Sequence, residues 1–362
     1  MRAKTIPVDT LHKFTHDVFC ALGVPHDDAR TVADVLIESD LRGIESHGAG
    51  RLKMYVDRIR AGIQSPTTKF ELLSDRDAVA VVDGHHGMGH VIGVRAMNMA
   101  IEKARRLGLG AVAVRNSTHY GIAGYYALMA IRQNMAGITF TNARPSVPPT
   151  FGVEPLLGTN PITFGCPTDD PFPFVIDCAT SISQRGKIEM LEREGKPTPQ
   201  GWAVDPEGRP HTDTSALLKD LVKGAAALLP IGGAGELLGG HKGYGWSTMV
   251  EIFSAAFQDG SHTRELLGFR DGKPTPYKLG HFFIAFDIAH FIEPETFKKV
   301  AGSICRTLRD SKKAEGEERI WTAGEKEYEI EKRVRAEGVP ITEALLKDLR
   351  KLRDELRLDA EF

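Results

Sequence analysis

The sequence predicts an α/β protein with a helical N-terminal segment, and three observations carry that prediction. Between residues 8 and 61 apolar side chains recur at helical spacing, as in Leu11-x-x-Phe14 followed by Val18-Phe19, and again through Val32, Val35 and Leu36. From residue 79 onward short apolar runs alternate with helical stretches, beginning with Val79-Ala80-Val81-Val82 and the helix expected over 94–107. Glycine and proline clusters separate the two kinds of segment. In chain order, 8–61 reads as three helices, the third carrying His47 and Arg51. Strands are expected at 79–82, 111–114, 137–141, 162–164 and 173–177, with proline-rich loops at 145–149 and 197–210. A glycine-rich loop over 232–240 precedes a helix over 243–258, a second loop spans 268–274, and 282–287 reads as a late strand. The end, 342–358, is an amphipathic helix with Leu345, Leu346, Leu349, Leu352 and Leu356 on one face. Three parts follow: 1–75 as a helical segment, 76–310 as the α/β core, and 311–362 as a charged extension whose helix returns to the core. No internal repeat is visible.

Composition narrows the function classes. At 362 residues, 41% hydrophobic and 26% charged, the chain has the balance of an ordinary globular protein with a large core. A net charge of −2 supplies no electrostatic footprint for nucleic acid or an anionic membrane. Cys20, Cys166, Cys178 and Cys305 are far apart, which speaks against both a zinc ribbon and a disulfide scaffold. The first residues form no apolar signal core and no stretch reaches 18 apolar residues, so the cytoplasm is the expected location. The tail from Asp310 is dense in Lys, Arg and Glu, a composition common in thermophile proteins.

Two polar clusters carry chemistry. In Ser46-His47-Gly48-Ala49-Gly50-Arg51 a helical backbone would put His47 and Arg51 on one face. An arginine fork grips a carboxylate through two hydrogen bonds, and an adjacent imidazolium can protonate the neighbouring carbonyl. That is what reduction of a 2-oxo acid needs. The competing reading is a helix-cap serine followed by a partly exposed histidine and a surface arginine. The second cluster, Arg115-Asn116-Ser117-Thr118-His119-Tyr120-Gly121, follows the strand at 111–114 and leads into an apolar helix. The C-terminal end of a strand is a frequent ligand site in α/β proteins. It is equally the place for an ordinary strand-to-helix loop.

These clusters recur in order with Val82-Asp83-Gly84-x-x-Gly87-x-Gly89, Gly158-Thr159-Asn160-Pro161, Asp177-Cys178-Ala179-Thr180-Ser181, Arg185-Gly186-Lys187, Gly201-Trp202-Ala203-x-Asp205 and His241-Lys242-Gly243-Tyr244-Gly245. Taken together from about residue 3 to about 339, they resemble the second type of malate/L-lactate dehydrogenases, most of all its archaeal malate dehydrogenases. Other members of that family act on sulfolactate, ureidoglycolate, diketogulonates or cyclic imines. The resemblance implies a non-Rossmann dinucleotide fold with mixed sheets, NAD or NADP as cofactor, a small 2-oxo or 2-hydroxy acid as substrate, and a homodimer. It implies His47 as proton donor, Ser46 as its orienting partner and Arg51 as the substrate carboxylate grip. Thr159, Gly186 and Lys187 would face the substrate. His119, Tyr120, Gly121, Ile122 and Ala123 would form one cofactor loop, with Gly121 allowing close backbone approach. Cys178, Ala179 and Thr180 would form a second, His241 and Lys242 a third, and Ala323, Gly324 and Glu325 a last contact. Imine-reducing members carry aspartate at the third position of Arg-Gly-x. Lys187 there favours an oxo acid and offers charge to a second carboxylate, as malate requires.

Several other patterns compete less well. Val79 to Gly93 imitates the dinucleotide fingerprint, but its third glycine is one residue late and Arg115 stands where an acidic residue belongs. Asp83 and its glycines are expected to shape a turn near the site instead. His85, His86 and His90 have metal-like spacing without a convincing fourth ligand, so no metal is expected, and a metal-dependent hydrolase or lyase is a remote alternative. Asp169-Asp170-Pro171 reads as a turn, and 235–243 lacks the ending of a P-loop. A non-enzymatic binding protein is the remaining alternative. The final leucine stripe fits dimer packing and packing on its own chain equally.

Overall fold

The computed structural model describes residues 2–270 and 272–362. Strand β1 (Arg2–Ile6) is followed by helices α1 (Val8–Ala21), α2 (His26–Leu41) and α3 (Leu52–Arg60). Pro7 and Pro25 stand directly before α1 and α2, where proline's restricted φ suits entry into a helix. Strands β2 (Glu71–Arg76) and β3 (Val79–Asp83), helix α4 (Gly89–Leu107), strand β4 (Leu109–Ser117), helix α5 (Gly124–Ile131) and strand β5 (Met135–Thr141) come next. Then follow β6 (Ile162–Cys166), β7 (Phe174–Cys178), α6 (Arg185–Arg193), β8 (Ala203–Val204), α7 (Thr214–Lys223), β9 (Ala227–Leu228) and α8 (Gly240–Ala255). The chain closes with β10 (Phe269–Arg270), β11 (Lys273–Pro274), β12 (Leu279–Asp287), α9 (Pro294–Arg309), α10 (Glu325–Glu337), β13 (Val339–Thr342) and α11 (Glu343–Leu356).

Seven strands form one sheet in the order β2-β3-β4-β12-β5-β6-β7. Only β3 and β4 are parallel, joined by the crossover helix α4, and the remaining pairs are antiparallel. The sheet is mixed, and strand β12 enters it from far along the chain, pairing with β4 through Phe283↔Val112 and with β5 through Phe283↔Thr139. This is not the parallel doubly wound sheet of a Rossmann domain. One face packs on α4 and α5 through Ile92, Ala96, Met97 and Ala100 against Val82, Val112, Val114 and Phe283. The opposite face packs on α8 through Val250 and Phe253 against Phe140 and Phe282.

A second core joins the two ends of the chain. Leu11, Phe14, Val18, Val32 and Leu36 pack with Val334, Ile341, Leu346, Leu349 and Leu352. Strand β1 pairs antiparallel with β13, with Ile6 opposite Val339. The leucine stripe therefore packs on its own chain, and Leu345 and Leu356 lie at the margin of the same core.

The expected strands and helices appear, mostly a few residues longer. The notable departure is at the expected third helix. His47 and Arg51 lie in two successive 3₁₀ turns, Glu45–His47 and Ala49–Arg51, and the α-helix starts only at Leu52. The cause is Asp40, at the end of α2. Its Oδ2 accepts the Ala49 N–H at 2.8 Å, and its Oδ1 would stand 1.9 Å from any Cβ at Gly48. The turn is wound around that carboxylate, so a continuous helix cannot form there. Among the described residues no helix is long and apolar enough to cross a membrane.

Candidate active site

Residues of the Ser46–Arg51 turn line two cavities. One, about 140 Å³, is lined by His47 together with His119, Tyr120, Gly121, Ile122 and Ala123, and by Thr159 and Ala179. Ile44, Pro161 and Leu279 give it apolar walls, and Asn142, Asp177 and Gln184 give it polar ones. The other, about 330 Å³, is lined by Ser46, Arg51 and Gly186 and by charged groups including Asp40, Glu45, Glu189, Arg193 and Asp348.

Ser46 Oγ lies 2.8 Å from His47 Nδ1, which orients the imidazole and leaves Nε2 without a hydrogen bond to any described residue. Enclosure of the ring, reinforced by the Arg51 charge, lowers the His47 pKa to about 4. The imidazole is therefore neutral at pH 7. Arg51 Nε donates to the Ser46 carbonyl at 2.5 Å, so the fork is anchored to the same turn while its terminal nitrogens have no carboxylate partner among the described residues. Gly186, at the start of α6, faces that fork. A Cβ there would meet Ser46 Cβ at 3.1 Å and Arg51 Nη2 at 3.7 Å.

The 119–123 loop is held from behind. His119 stacks on His47 with ring centroids 5.4 Å apart, and its Nδ1 lies 2.6 Å from the Tyr55 hydroxyl. Tyr120 stacks on His281 at 4.4 Å and 7°, and the Tyr126 hydroxyl donates to the Tyr120 carbonyl at 2.5 Å. Gly121 has φ +81°, and a Cβ on it would lie 2.5 Å from Val35 Cγ1 and 3.2 Å from the His90 ring. Its glycine is required by backbone conformation and by packing behind the loop, a different reason from the expected approach to a cofactor.

Thr159 and the second loop are tied together. Thr180 N–H donates to the Thr159 carbonyl at 2.9 Å, and the Thr180 hydroxyl reaches the carbonyls of Thr159 and Asn160, both at 3.1 Å. Ala179 faces the cavity, whereas Cys178 is half-buried beside it and burial pushes its thiol pKa up. Asp177, which the sequence reading did not single out as a site residue, lines the cavity and accepts Gly124 N–H at 2.6 Å and the Thr163 hydroxyl at 3.0 Å.

Not every expected site residue gathers here. Lys187 is exposed and lines neither cavity. His241 and Lys242, at the start of α8, are exposed and line a separate surface hollow with Leu237, Leu238 and Trp246. Ala323, Gly324 and Glu325 lie against the edge strand β7, where Val175 N–H donates to the Ala323 carbonyl. The Glu325 carboxylate is engaged by Arg319 and by the Thr322 N–H at 3.0 Å.

The glycines of the fingerprint-like segment serve internal packing. At Gly89 a Cβ would meet the Thr118 carbonyl at 2.3 Å, so the start of α4 is sealed against the protein. Asp83 shapes the turn as expected, accepting His85 N–H at 2.9 Å, Asn116 Nδ2 at 2.8 Å and Arg115 Nε at 2.9 Å. The three closely spaced histidines diverge: His85 pairs with Glu71, His86 with the Tyr277 carbonyl, and His90 with Tyr55. Asp169 and Asp170 are held by Arg306 and Arg309.

The smaller cavity has mixed walls, apolar at Ile44, Pro161 and Leu279 and polar at His119, Asn142, Thr159 and Asp177, and at about 140 Å³ it is too small for a whole dinucleotide.

The family model for malate/L-lactate dehydrogenase matches residues 6–350. The chain is 44% identical over 348 residues to a malate dehydrogenase of Pyrococcus horikoshii, covering 96% of this chain and 94% of that one. It is 35% identical over 350 residues to an L-sulfolactate dehydrogenase of Methanothermobacter thermautotrophicus, covering 97% and 96%. The crystal structure of malate dehydrogenase from Entamoeba histolytica superposes with a TM-score of 0.96 at 42% identity, covering 99% of each chain. With the likeness extending over nearly the whole length, the chain belongs to the malate/L-lactate dehydrogenase family of NAD(P)-dependent 2-hydroxyacid dehydrogenases.

Proposed function

We propose that this protein interconverts malate and oxaloacetate, with His47 as the acid/base and Arg51 as the carboxylate grip. The observation that carries the reading is the Ser46–His47 pair at 2.8 Å beside an arginine fork that is anchored yet unpaired. The 119–123 loop, Thr159 and Ala179 would hold the nicotinamide end of the cofactor in the smaller cavity. When bound, the nicotinamide supplies or accepts the hydride at C2. In oxidation, neutral His47 takes the hydroxyl proton through Nε2. In reduction, protonated His47 donates to the carbonyl oxygen, and a substrate carboxylate on Arg51 offsets the smaller of the two causes that lower the His47 pKa. Lys187 is exposed and lines neither cavity; we assign it to the second carboxylate of malate because it follows Gly186, which lines the cavity of the Arg51 fork.

A panel of malate, lactate, sulfolactate and ureidoglycolate with NAD and with NADP, read by reduced-nicotinamide absorbance, tests both substrate and cofactor. Malate should give the highest kcat/KM, and Lys187→Gln should raise KM for malate more than for lactate. A higher kcat/KM for any other acid overturns the malate assignment.

We further propose a homodimer. The helices at the two ends bury their apolar faces in their own chain, so the surface available for pairing lies elsewhere. Leu237 is 96% exposed, Leu238 81%, Phe257 58% and Trp246 55%, all at or near α8. An apolar group of this kind on one face is what a protein interface covers. Light scattering at micromolar concentration should return twice the chain mass. A monomer with full activity overturns it. The four cysteines are free thiols, in keeping with a reducing compartment, and we place the enzyme in the cytoplasm.

A further inference from the structure

Behind the cavity wall, a line of polar groups runs from His119 into the core. Tyr55 and His90 are fully buried. The Tyr55 hydroxyl lies 2.6 Å from His119 Nδ1 and 3.1 Å from His90 Nε2. The Gly121 N–H is directed at the same His119 nitrogen, at 3.3 Å.

A backbone N–H can only donate, so His119 Nδ1 must present its lone pair. The Tyr55 hydroxyl has one proton. Given to His119, it leaves the phenolic oxygen as an acceptor, and the His90 Nε2–H fills it. His90 Nδ1, which has no hydrogen-bond partner, is then a bare lone pair rather than an orphaned N–H, the less costly of the two. The reverse assignment would set the His119 Nδ1–H against the Gly121 N–H, donor to donor, turn the Tyr55 hydroxyl onto His90 Nε2, and leave His90 with a buried Nδ1–H without a partner among the described residues.

We infer that Tyr55 and His90 are positioning residues that lock His119 as the Nε2–H tautomer, presenting a fixed hydrogen-bond donor to an acceptor oxygen bound in the cavity. His119 Nε2 makes no hydrogen bond to any described residue, and the ring lines the cavity against His47. Burial lowers the His90 pKa to about 3 and holds His119 well below the ordinary histidine value, so both rings stay neutral at pH 7. A neutral ring with one nitrogen committed has a single donor, and its direction is set by the scaffold. His47, tied to Ser46 instead, keeps the freedom to gain and lose a proton. Two stacked imidazoles in one wall are thereby given different roles by what stands behind each.

The inference rests on the cavity being the reaction site, but its first test does not need activity. In the full-length protein labelled with ¹⁵N at histidine, the His119 ring, assigned by its loss in His119→Gln, should show the protonated nitrogen at Nε2. A proton on Nδ1, or fast exchange between tautomers, overturns the inference whatever the enzyme's substrate proves to be. Tyr55→Phe removes the hydroxyl and keeps the ring. It should lower kcat by about tenfold, the worth of one well-placed hydrogen bond, with KM for cofactor changed less than about threefold. It should also release the tautomer preference. His90→Gln retains an N–H near the position of Nε2 and should restore both the ¹⁵N pattern and turnover to within about threefold of the parent, whereas His90→Leu should not. Wild-type turnover and an unchanged tautomer in Tyr55→Phe would show that Gly121 N–H alone suffices, and the role of Tyr55 and His90 would fall. Should the parent show no dehydrogenase activity, the proposed function fails while the tautomer measurement still decides this one.

Discussion

The two cavities lined by the Ser46–Arg51 turn differ in kind. On the His47 side the walls are largely apolar, with His119 stacked on His47 in one of them. On the Arg51 side four carboxylates and a second arginine, Arg193, surround the opening. One short turn thus sets the His47 imidazole among largely apolar walls and the Arg51 guanidinium among charged ones. The lesson is that the pKa of His47 is a property of the side it faces. Its lowering comes first from enclosure and only then from Arg51.

The sharpest way to break the comparison is to remove the acid/base group. His47→Gln should lower kcat by roughly 10²–10⁴ with cofactor affinity unchanged, since that is the usual worth of a positioned proton donor. Steady-state kinetics and NADH fluorescence measure the two halves, and near-parent turnover would exclude His47 from the chemistry. Arg51→Lys addresses the polar side. An ammonium cannot reproduce the fork, so KM should rise and kcat fall together, by about 10² in kcat/KM. A variant with parent kinetics would move the carboxylate grip to another residue.

Two stability measurements test what lies behind the turn. Leu349→Ala should destabilise the chain by about 2–5 kcal/mol, the cost of truncating a buried leucine, because the stripe packs on the N-terminal helices. Denaturant titration reads it, and a dimer that dissociates without loss of fold stability would return the stripe to the interface. Gly121→Ala should cost about 1–3 kcal/mol from the positive φ and the contact with Val35. Affinity for NADH, measured well below the melting temperature, should follow the folded fraction.

The smallest effect is in the pH profile. His47 is neutral in the folded protein until the pH approaches about 4, while an unfolded histidine takes its proton near 6.5. kcat/KM for malate oxidation should therefore show no His47 titration between pH 8 and 5. The same group, with His90 and His281, each lowered to about 3, supports stability above pH 6.5. That support is lost as pH falls from 6.5 towards 3, since only the unfolded chain binds the protons over that window. Melting curves at pH 7 and pH 5 should show the lower value at pH 5.

Much of this was legible before any coordinates. The strands at 79–82, 111–114 and 137–141 are apolar runs bounded by turn residues, and the sheet is built on them. The two polar clusters at 46–51 and 115–121 stood out because polar residues interrupt apolar periodicity there. The expected helix through His47 and Arg51 failed because spacing cannot register Asp40, eleven residues before Arg51, whose carboxylate takes the place of a Gly48 side chain. Nor could spacing show that His241 and Lys242 stand in a hollow apart from His47, or that the Glu325 carboxylate is spent on Arg319 and Thr322. Tyr55 was invisible as a site residue, since a tyrosine between Leu52 and Val56 on the buried face of an amphipathic helix looks like core.

By itself the sequence determined the α/β class, the helical first segment, the family and the residues Ser46, His47 and Arg51, because periodicity, glycine turns and ordered motifs are local properties of the chain. Tertiary structure alone decided which cavity each residue lines, which chain the leucine stripe packs on, and which nitrogen of His119 carries the proton. Those depend on groups distant in sequence: Asp40 beneath Gly48, β13 beside β1, and His90 behind Tyr55. Hydrogen-bond direction and burial are set by what is brought into contact, and contact exists only once the chain has folded.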